Sequence, residues 1–490
     1  MPSYKFNKPY YNVASEGNEL TLEEAFNVHF EALPTGGFAI RRRPGLTSID
    51  TNTFISARGL YWSDSTRLLY VAADDKVYRY TFPTTTTTKE ELGPLSSGPL
   101  SSGTMPVVFA EGQNVSGDTI LYMARGNLLN YINHTTGTVE TPTDVDTPSS
   151  SFIAMMNNRF YANDINHPQD FRITDYNPDP LVEVLDPLYW SSSANPFRAA
   201  QKPDPIAGIY TGWNEVYIWG TTACEVWQED GMTPVSPLVG SIIEAGLAAP
   251  YSVQIANNSM FALANLSGKR AVVMINGRTP QVISEAIARQ LQDLPYVKDA
   301  IGSLCFTGGL NLYILSFPIA NVTWAYDFKT DTWSQWSTWN LIDGLHGQFQ
   351  GVWGTYAKDW NKHIVLSKSG GLSEITRASF TDNGEPIRSS VRTGWLDQGT
   401  WDRKRCNQLI IKLKGYNPSA ATILMRWRDD GFQEWSKPME LALQSNSQND
   451  HYAKMNRMGM YRSRQYEFIM TDAADMALIG MEEDVTKMRN

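Results

Sequence analysis

Carboxylates come closest to a catalytic signature in this chain. Asp74-Asp75, Glu229-Asp230 and Asp429-Asp430 are adjacent acidic pairs, and glycoside cleavage needs an acid and a base held several ångströms apart. Adjacent residues in a strand point to opposite faces, and in a turn they cap amides, so no pair is a ready-made dyad. The six histidines, His29, His134, His167, His346, His363 and His451, show no H-E-x-x-H or other short ligand spacing. Cys224, Cys305 and Cys406 lie far apart without C-x-x-C, so neither a thiolate metal site nor a disulfide framework follows. No phosphate-binding glycine loop and no G-x-S-x-G elbow occurs, which removes the sequence support for phosphoryl transfer and for a serine hydrolase. The expectation is a non-enzyme with no catalytic residues, no cofactor and no metal.

Cations offer a different chemistry. Arg41-Arg42-Arg43 precedes Pro44-Gly45-Leu46 and is the densest basic run. It reads either as a solvated turn, with Pro44 fixing the backbone and Gly45 allowing a left-handed conformation, or as a contact to phosphate or to an acidic neighbour. Arg403-Lys404-Arg405, with Arg462 and Arg464, forms a second cluster and a candidate subunit contact. Overall, 41 Lys+Arg against 51 Asp+Glu give a net charge of −10. That sign excludes an electrostatically driven nucleic-acid binder, which gains affinity by releasing phosphate counterions. No stretch of about 18 apolar residues occurs, so no membrane-spanning helix is expected. The first ten residues lack the apolar core of a secretory signal.

The elements that must position these residues are strands. Among 490 residues there are 15 Trp, 23 Tyr and 19 Phe beside 36 Gly and 26 Pro, a composition of short aromatic strands and frequent turns. A segment of the form apolar-Tyr-apolar recurs at Leu69-Tyr70-Val71, Leu121-Tyr122-Met123, Phe160-Tyr161-Ala162, Val216-Tyr217-Ile218 and Leu312-Tyr313-Ile314. Variants stand at Met260-Phe261-Ala262 and His363-Ile364-Val365. The spacing averages about 49 residues, in the range of propeller blades. Tyr326-Asp327 followed by Thr330-Asp331-Thr332-Trp333 is a kelch-like hairpin whose Trp packs on the neighbouring blade. Each such sheet has an apolar face that only radial stacking can bury.

The reading is therefore all-β: a β-propeller-like domain of about six or seven irregular blades over residues 50–385, then a C-terminal β-sandwich over residues 386–490. Residues 1–49 read as an N-terminal arm with a short helix, because Thr21-Leu22-Glu23-Glu24 has capping-box spacing toward His29. A second helix is predicted from Ser284 to Asp293, where Ile283, Ile287, Leu291 and Leu294 share one face. Residues 84–103, rich in Thr, Ser and Gly, read as a mobile loop, and the proline-rich residues 175–205 as an extended excursion between blades. Residues 427–436 resemble the Asp-box hairpin of sialidases, one residue too long before Trp435; that motif is a folding element.

The order of landmarks resembles a family: the tail hub or nozzle proteins of short-tailed bacteriophages, also called packaged DNA stabilisation proteins. The landmarks are Arg43-Pro44-Gly45-Leu46, Phe171-Arg172-Ile173-Thr174-Asp175, and Pro203-Asp204-Pro205-Ile206-Ala207-Gly208-Ile209 leading into Glu215-Val216-Tyr217-Ile218-Trp219-Gly220. Glu225-Val226-Trp227, Ile243-Glu244-Ala245-Gly246 and Gln281-Val282-Ile283-Ser284 follow in the same order. The resemblance implies a structural virion component of the tail, made in the host cytoplasm and without catalytic residues. It implies a homo-hexameric ring beneath the portal and its adaptor, with a needle, plug or fibre protein at its far end. Genomic DNA would pass through the channel without tight binding, as an acidic chain favours. The alternative is a propeller-fold carbohydrate-binding or glycoside-acting protein.

Overall fold

The computed structural model describes residues 3–9, 19–34, 36–50, 54–81, 88–95, 105–176, 185–192, 194–229, 234–415, 422–445 and 450–488. Strands dominate, in six separate sheets and one large closed sheet. Five of the separate sheets follow one another as blades 1 to 5, at residues 57–94, 108–140, 153–198, 208–237 and 246–282. Blade 6, residues 301–339, is a four-stranded unit whose outer strand continues into the large sheet. The sixth separate sheet is blade 7. It takes Gly351–Ala357, Lys362–Ser367 and Leu372–Thr376 from late in the chain and Gly45–Asp50 from its beginning.

Every copy of the apolar-Tyr-apolar segment is the second strand of a blade: Leu68–Ala73, Thr119–Ala124, Arg159–Asn163, Glu215–Trp219, Ser259–Leu266, Leu310–Phe317 and Lys362–Ser367. Strand side chains alternate between faces, and here both faces are covered. In blade 1, Tyr70 and Ala72 point into the layer shared with blade 2, whereas Leu69 and Val71 point into the layer shared with blade 7. The pattern continues around the ring: Tyr122 and Phe160 meet between blades 2 and 3, with ring centroids 4.8 Å apart, and Tyr161 turns to blade 4. The repeat is apolar at successive positions because these strands are buried on both sides.

The turns before these strands are also legible. Asn157-Asn158, Trp213-Asn214, Asn257-Asn258 and Gly308-Gly309 all have both φ values positive, between 49° and 83°. A two-residue hairpin needs that conformation to match strand twist, and Asn and Gly tolerate it best. In the kelch-like hairpin, Asp327 Oδ1 accepts from Lys329 N at 2.9 Å, and Trp333 Nε1 donates to Ile283 O at 2.7 Å, tying blade 6 to the end of blade 5.

The N- and C-terminal strands build one closed sheet in two layers. One layer contains Glu19–Phe26, Ser389–Thr393, Arg464–Met470 and Ile423–Asp429; the other contains Phe38–Arg42, Met476–Lys487, Lys404–Gly415 and Asp450–Asn456. Val391, Phe468 and Met425 of the first face Leu409, Ile411 and Met481 of the second across a common core.

Four expectations are corrected and one, the second helix, holds. Residues 21–26 and 28–29 are strand: Glu19–Phe26 pairs with Ser389–Thr393, so the helix at the capping-box motif is absent and the arm is part of the C-terminal unit. The predicted helix at residues 284–293 is present as a 3₁₀ turn, Glu285–Ile287, and a short α-helix, Ala288–Asp293. Within residues 84–103, Thr88–Pro94 is the outer strand of blade 1 and residues 84–87 and 96–103 lie outside the described residues. The excursion at residues 175–205 leaves between the third and fourth strands of blade 3, rather than between blades. Its Trp190 is fully buried and donates to Tyr122 Oη at 3.2 Å. Lastly, Gly45 does not have a positive φ. It is glycine because a Cβ would lie 2.4 Å from Thr381 O and 2.7 Å from Ser379 O.

Phe160 fills the layer between blades 2 and 3 and abuts Gly112, where a Cβ would lie 2.8 Å from its ring. Phe160→Ala is expected to cost about 3–5 kcal/mol, read as a lower urea midpoint; a loss within error of zero would show that the layers do not carry the fold.

Candidate functional site

The closure of the ring brings together the residues singled out by charge. Strand Phe38–Arg42 ends in the C-terminal unit and Gly45–Asp50 begins in blade 7, so Arg41, Arg42 and Arg43 stand at the crossing. Arg43 is completely buried and uses every guanidinium donor. It binds Asp382 in bidentate fashion, with Nη1 to Oδ1 at 2.9 Å and Nη2 to Oδ2 at 2.5 Å. It also donates to Asn27 Oδ1 at 2.8 Å, Pro44 O at 3.0 Å and Ser337 O at 3.2 Å. Its flat face lies 4.8 Å from the ring centroid of Phe349 and 5.6 Å from that of Trp336. A planar fork suits this site in a way that an ammonium does not.

Arg42 is buried and donates to Ile387 O at 2.7 Å and to Ser389 Oγ at 3.3 Å. Burial, reinforced by the Arg43 charge, lowers its pKa to about 10, and it remains charged at neutral pH. Arg41 bonds Glu31 at 2.7 Å and Asp475 at 3.1 Å. The acidic neighbours of the run are therefore within the chain, and the phosphate reading fails for Arg42 and Arg43 because their charges are buried and engaged.

Asn27 was not singled out by the sequence. It sits at φ 56° between two strands. Its N–H donates to Gln335 O at 2.8 Å and its Nδ2 to Arg388 O at 2.8 Å, and its carbonyl accepts from Arg43 N at 2.9 Å. It joins blade 6, the C-terminal unit and the basic run. The only available signal was an Asn interrupting an apolar stretch.

The second basic cluster divides. Lys404 is buried and donates to Thr400 O at 2.7 Å and Asp402 O at 3.0 Å, while Arg403 and Arg405 are exposed. Arg464 is buried against Asp429, with 2.6 Å and 2.8 Å bonds.

The acidic pairs are structural where described. Asp74 Oδ1 accepts from Ser56 N at 2.7 Å, and Asp430 Oδ1 accepts from Arg462 N at 2.6 Å and Ser463 N at 3.0 Å. Glu229 accepts from Tyr161 Oη at 2.8 Å, and Asp230 lies outside the described residues. Among the described residues, no group of three or more His, Cys, Asp or Glu could hold a metal ion. Burial raises the pKa of all three thiols, Cys406 to about 12, which keeps them protonated.

Two histidines lie where blades 6 and 7 meet the seam. His346 stacks on Phe26 at 4.1 Å, and burial, then the Arg388 charge, lowers its pKa to about 4. His363 is buried, with neither ring nitrogen bonded, and burial lowers its pKa to about 3.

A ring of sheets closed by a strand from the opposite end of the chain defines a β-propeller protein. A family profile described as "Bacteriophage P22 Gp10, beta-propeller" matches residues 25–370, and the chain belongs to this phage stabilisation family, a structural class of the phage virion. No curated protein matches the chain. Among solved structures, the extracellular domain of BT4673, a hybrid two-component system of B. thetaiotaomicron, is 11% identical, over 82% of this chain and 48% of that one, at a TM-score of 0.42. This chain thus spans about half of that relative's length. Virginiamycin B lyase from Staphylococcus aureus is 11% identical, over 67% of this chain and 97% of that one, at a TM-score of 0.40. The N-terminal domain of Nup159 is 11% identical, over 76% and 99%, at a TM-score of 0.39. At these scores no functional statement follows.

Asp382→Ala leaves the Arg43 charge buried without its partner and is expected to destabilise by about 3–5 kcal/mol, whereas Arg43→Met with Asp382→Leu recovers most of the loss. Equal losses in urea unfolding of both variants would remove the ion pair from the account. A second expectation concerns acid. The unfolded chain protonates a histidine near 6.5, and folded His363 resists until about 3, so its effect on stability is nil above 6.5 and becomes increasingly unfavourable as pH falls below it. His363→Leu should flatten the decline of the urea midpoint between pH 6.5 and 4; an unchanged slope would assign the decline to other groups.

Proposed function

We propose that this chain is the tail hub, or nozzle, subunit of a short-tailed phage. Copies form a ring, six in number, that extends the channel of the portal and its adaptor. The ring retains packaged DNA and conducts it during ejection, and a needle, plug or fibre protein occupies its distal end. The observation that carries this reading is the family match over residues 25–370, which takes in almost the whole closed propeller.

The physical properties agree with a mechanical part. A propeller closed by a strand from the opposite end of the chain, with a buried bidentate ion pair beside the junction, is a stiff unit, suited to bearing the pressure of a confined genome. The net charge of −10 disfavours many simultaneous phosphate contacts, so DNA slides along such a wall instead of adhering. Arg403 and Arg405, the exposed members of the second basic cluster, face the neighbouring subunit in this reading.

Phage assembled without the chain is expected to package DNA and then lose it. Electron microscopy should show empty heads lacking a density below the adaptor, and nuclease protection of the genome should fall. Full, infectious particles without the chain would sink the proposal.

A further inference from the structure

One outer face of the C-terminal unit carries cations laid on aromatic rings. Val391, Phe468 and Met425 turn into the core of that unit, so by strand alternation Arg392, Glu467 and Arg426 turn outward. These three form one row, because Arg392 pairs with Glu467 and Glu467 with Arg426 across neighbouring strands. Arg388 and Arg428 have the same parity and extend the face beyond the row. Each arginine lies on a tryptophan: Arg388 is 4.0 Å from the Trp339 ring centroid, and Arg392, Arg426 and Arg428 are 5.3 Å, 4.9 Å and 4.7 Å from that of Trp435. Such stacking fixes the plane of a guanidinium and leaves its edge to hydrogen-bond.

The carboxylates of this face do not satisfy all of its cations. Arg392 donates to Glu24 at 2.6 Å and to Glu467 at 3.4 Å, and Arg426 Nε donates to Glu467. Glu23 accepts from Gln465 Nε2 at 2.6 Å, and Arg428 Nε donates to Gln465 Oε1 at 2.6 Å. Asp429, Asp430 and Glu434 line a cavity at the other end of the face, with Arg403 and Arg428. Arg388 is left over. It is half-buried, and among the described residues its side chain has no hydrogen bond and no ion pair; its Nε is also closed off from solvent. Arg426 uses only Nε, and its two terminal nitrogens have no acceptor among the described residues.

Burial lowers the Arg388 pKa, Glu467 offsets part of that, and the nearby Arg426 charge adds to it. Two guanidinium groups thus face one carboxylate that is already engaged. His346, beside Trp339, adds no charge, since burial and then the Arg388 charge lower its pKa to about 4. A charge held half out of water beside a like charge is relieved by an anion that accepts from both.

We infer that Arg388 and the terminal nitrogens of Arg426 form a binding site for a phosphate-type oxyanion. A planar fork matches two oxygens of a tetrahedral anion, and the tryptophan rings hold the forks in place before the anion arrives. Free phosphate and a phosphodiester of nucleic acid offer the same chemistry. A single site of this kind is compatible with a net charge of −10, which disfavours many simultaneous phosphate contacts.

The test is calorimetric titration of the purified full chain with inorganic phosphate, at neutral pH and constant ionic strength, beside fluorescence anisotropy of a labelled short duplex DNA. Wild-type protein should give a saturable heat at one site per chain. Arg388→Met keeps the stem on Trp339 and removes the charge. Because the Arg388 side chain bonds nothing within the chain, this variant should keep the wild-type urea midpoint while its phosphate affinity falls about tenfold or more. Arg388→Lys, which keeps the charge without the fork, should fall between the two. A drop confined to phosphate assigns the free anion, and a drop in DNA binding assigns the phosphodiester. If neither probe binds, or if Arg388→Met binds both as wild type does, the site is overturned.

Discussion

A ring of sheets made from a linear chain has to be closed by something, and here an N-terminal strand closes it, with a buried ion pair beside the junction. Gly45–Asp50 completes blade 7 beside Leu372–Thr376, and Arg43 and Asp382 flank that pairing from opposite ends of the chain with two charge-assisted bonds. Two desolvated charges are costly to bury, so such a pair persists only when every remaining donor is met. Asn27, Pro44 and Ser337 meet them, and Phe349 and Trp336 cover the face.

That seam has a second consequence. Because Asn27 and Arg42 bond to residues 387–389 as well as to each other's neighbourhood, the C-terminal unit is clamped to the propeller at the place where the ring closes. Blade 6 shares its outer strand with the large sheet, and the hairpin after it is gripped by Arg388 and Phe26 through Trp339 and His346. Local rigidity at the seam therefore reaches the exposed turn at residues 340–345.

Much of the fold was legible before the structure. The apolar-Tyr-apolar segments each became the second strand of a blade, and the helix near residue 288 was recognisable from Ile283, Ile287 and Leu291 on one face. The site was less legible. Arg41, Arg42 and Arg43 were visible as a cluster, but the partners Asp475 and Asp382 were not, because ion pairing across 434 and 339 residues leaves no local pattern. The capping-box motif at Thr21 to Glu24 misled for a related reason. Local spacing favours a helix, and pairing of Leu22, Ala25 and Phe26 with residues 390–393 overrides it.

What the sequence alone determined was the repeating unit: alternation in short strands and turn residues before them are local properties, written in consecutive residues. The order of landmarks also carried the family. Only the tertiary structure decided that the ring closes with an N-terminal strand, that the arm belongs to the C-terminal unit, and that a basic run is interior. Those outcomes depend on which distant groups meet once water is excluded, and burial, unlike periodicity, is a property of the assembled whole.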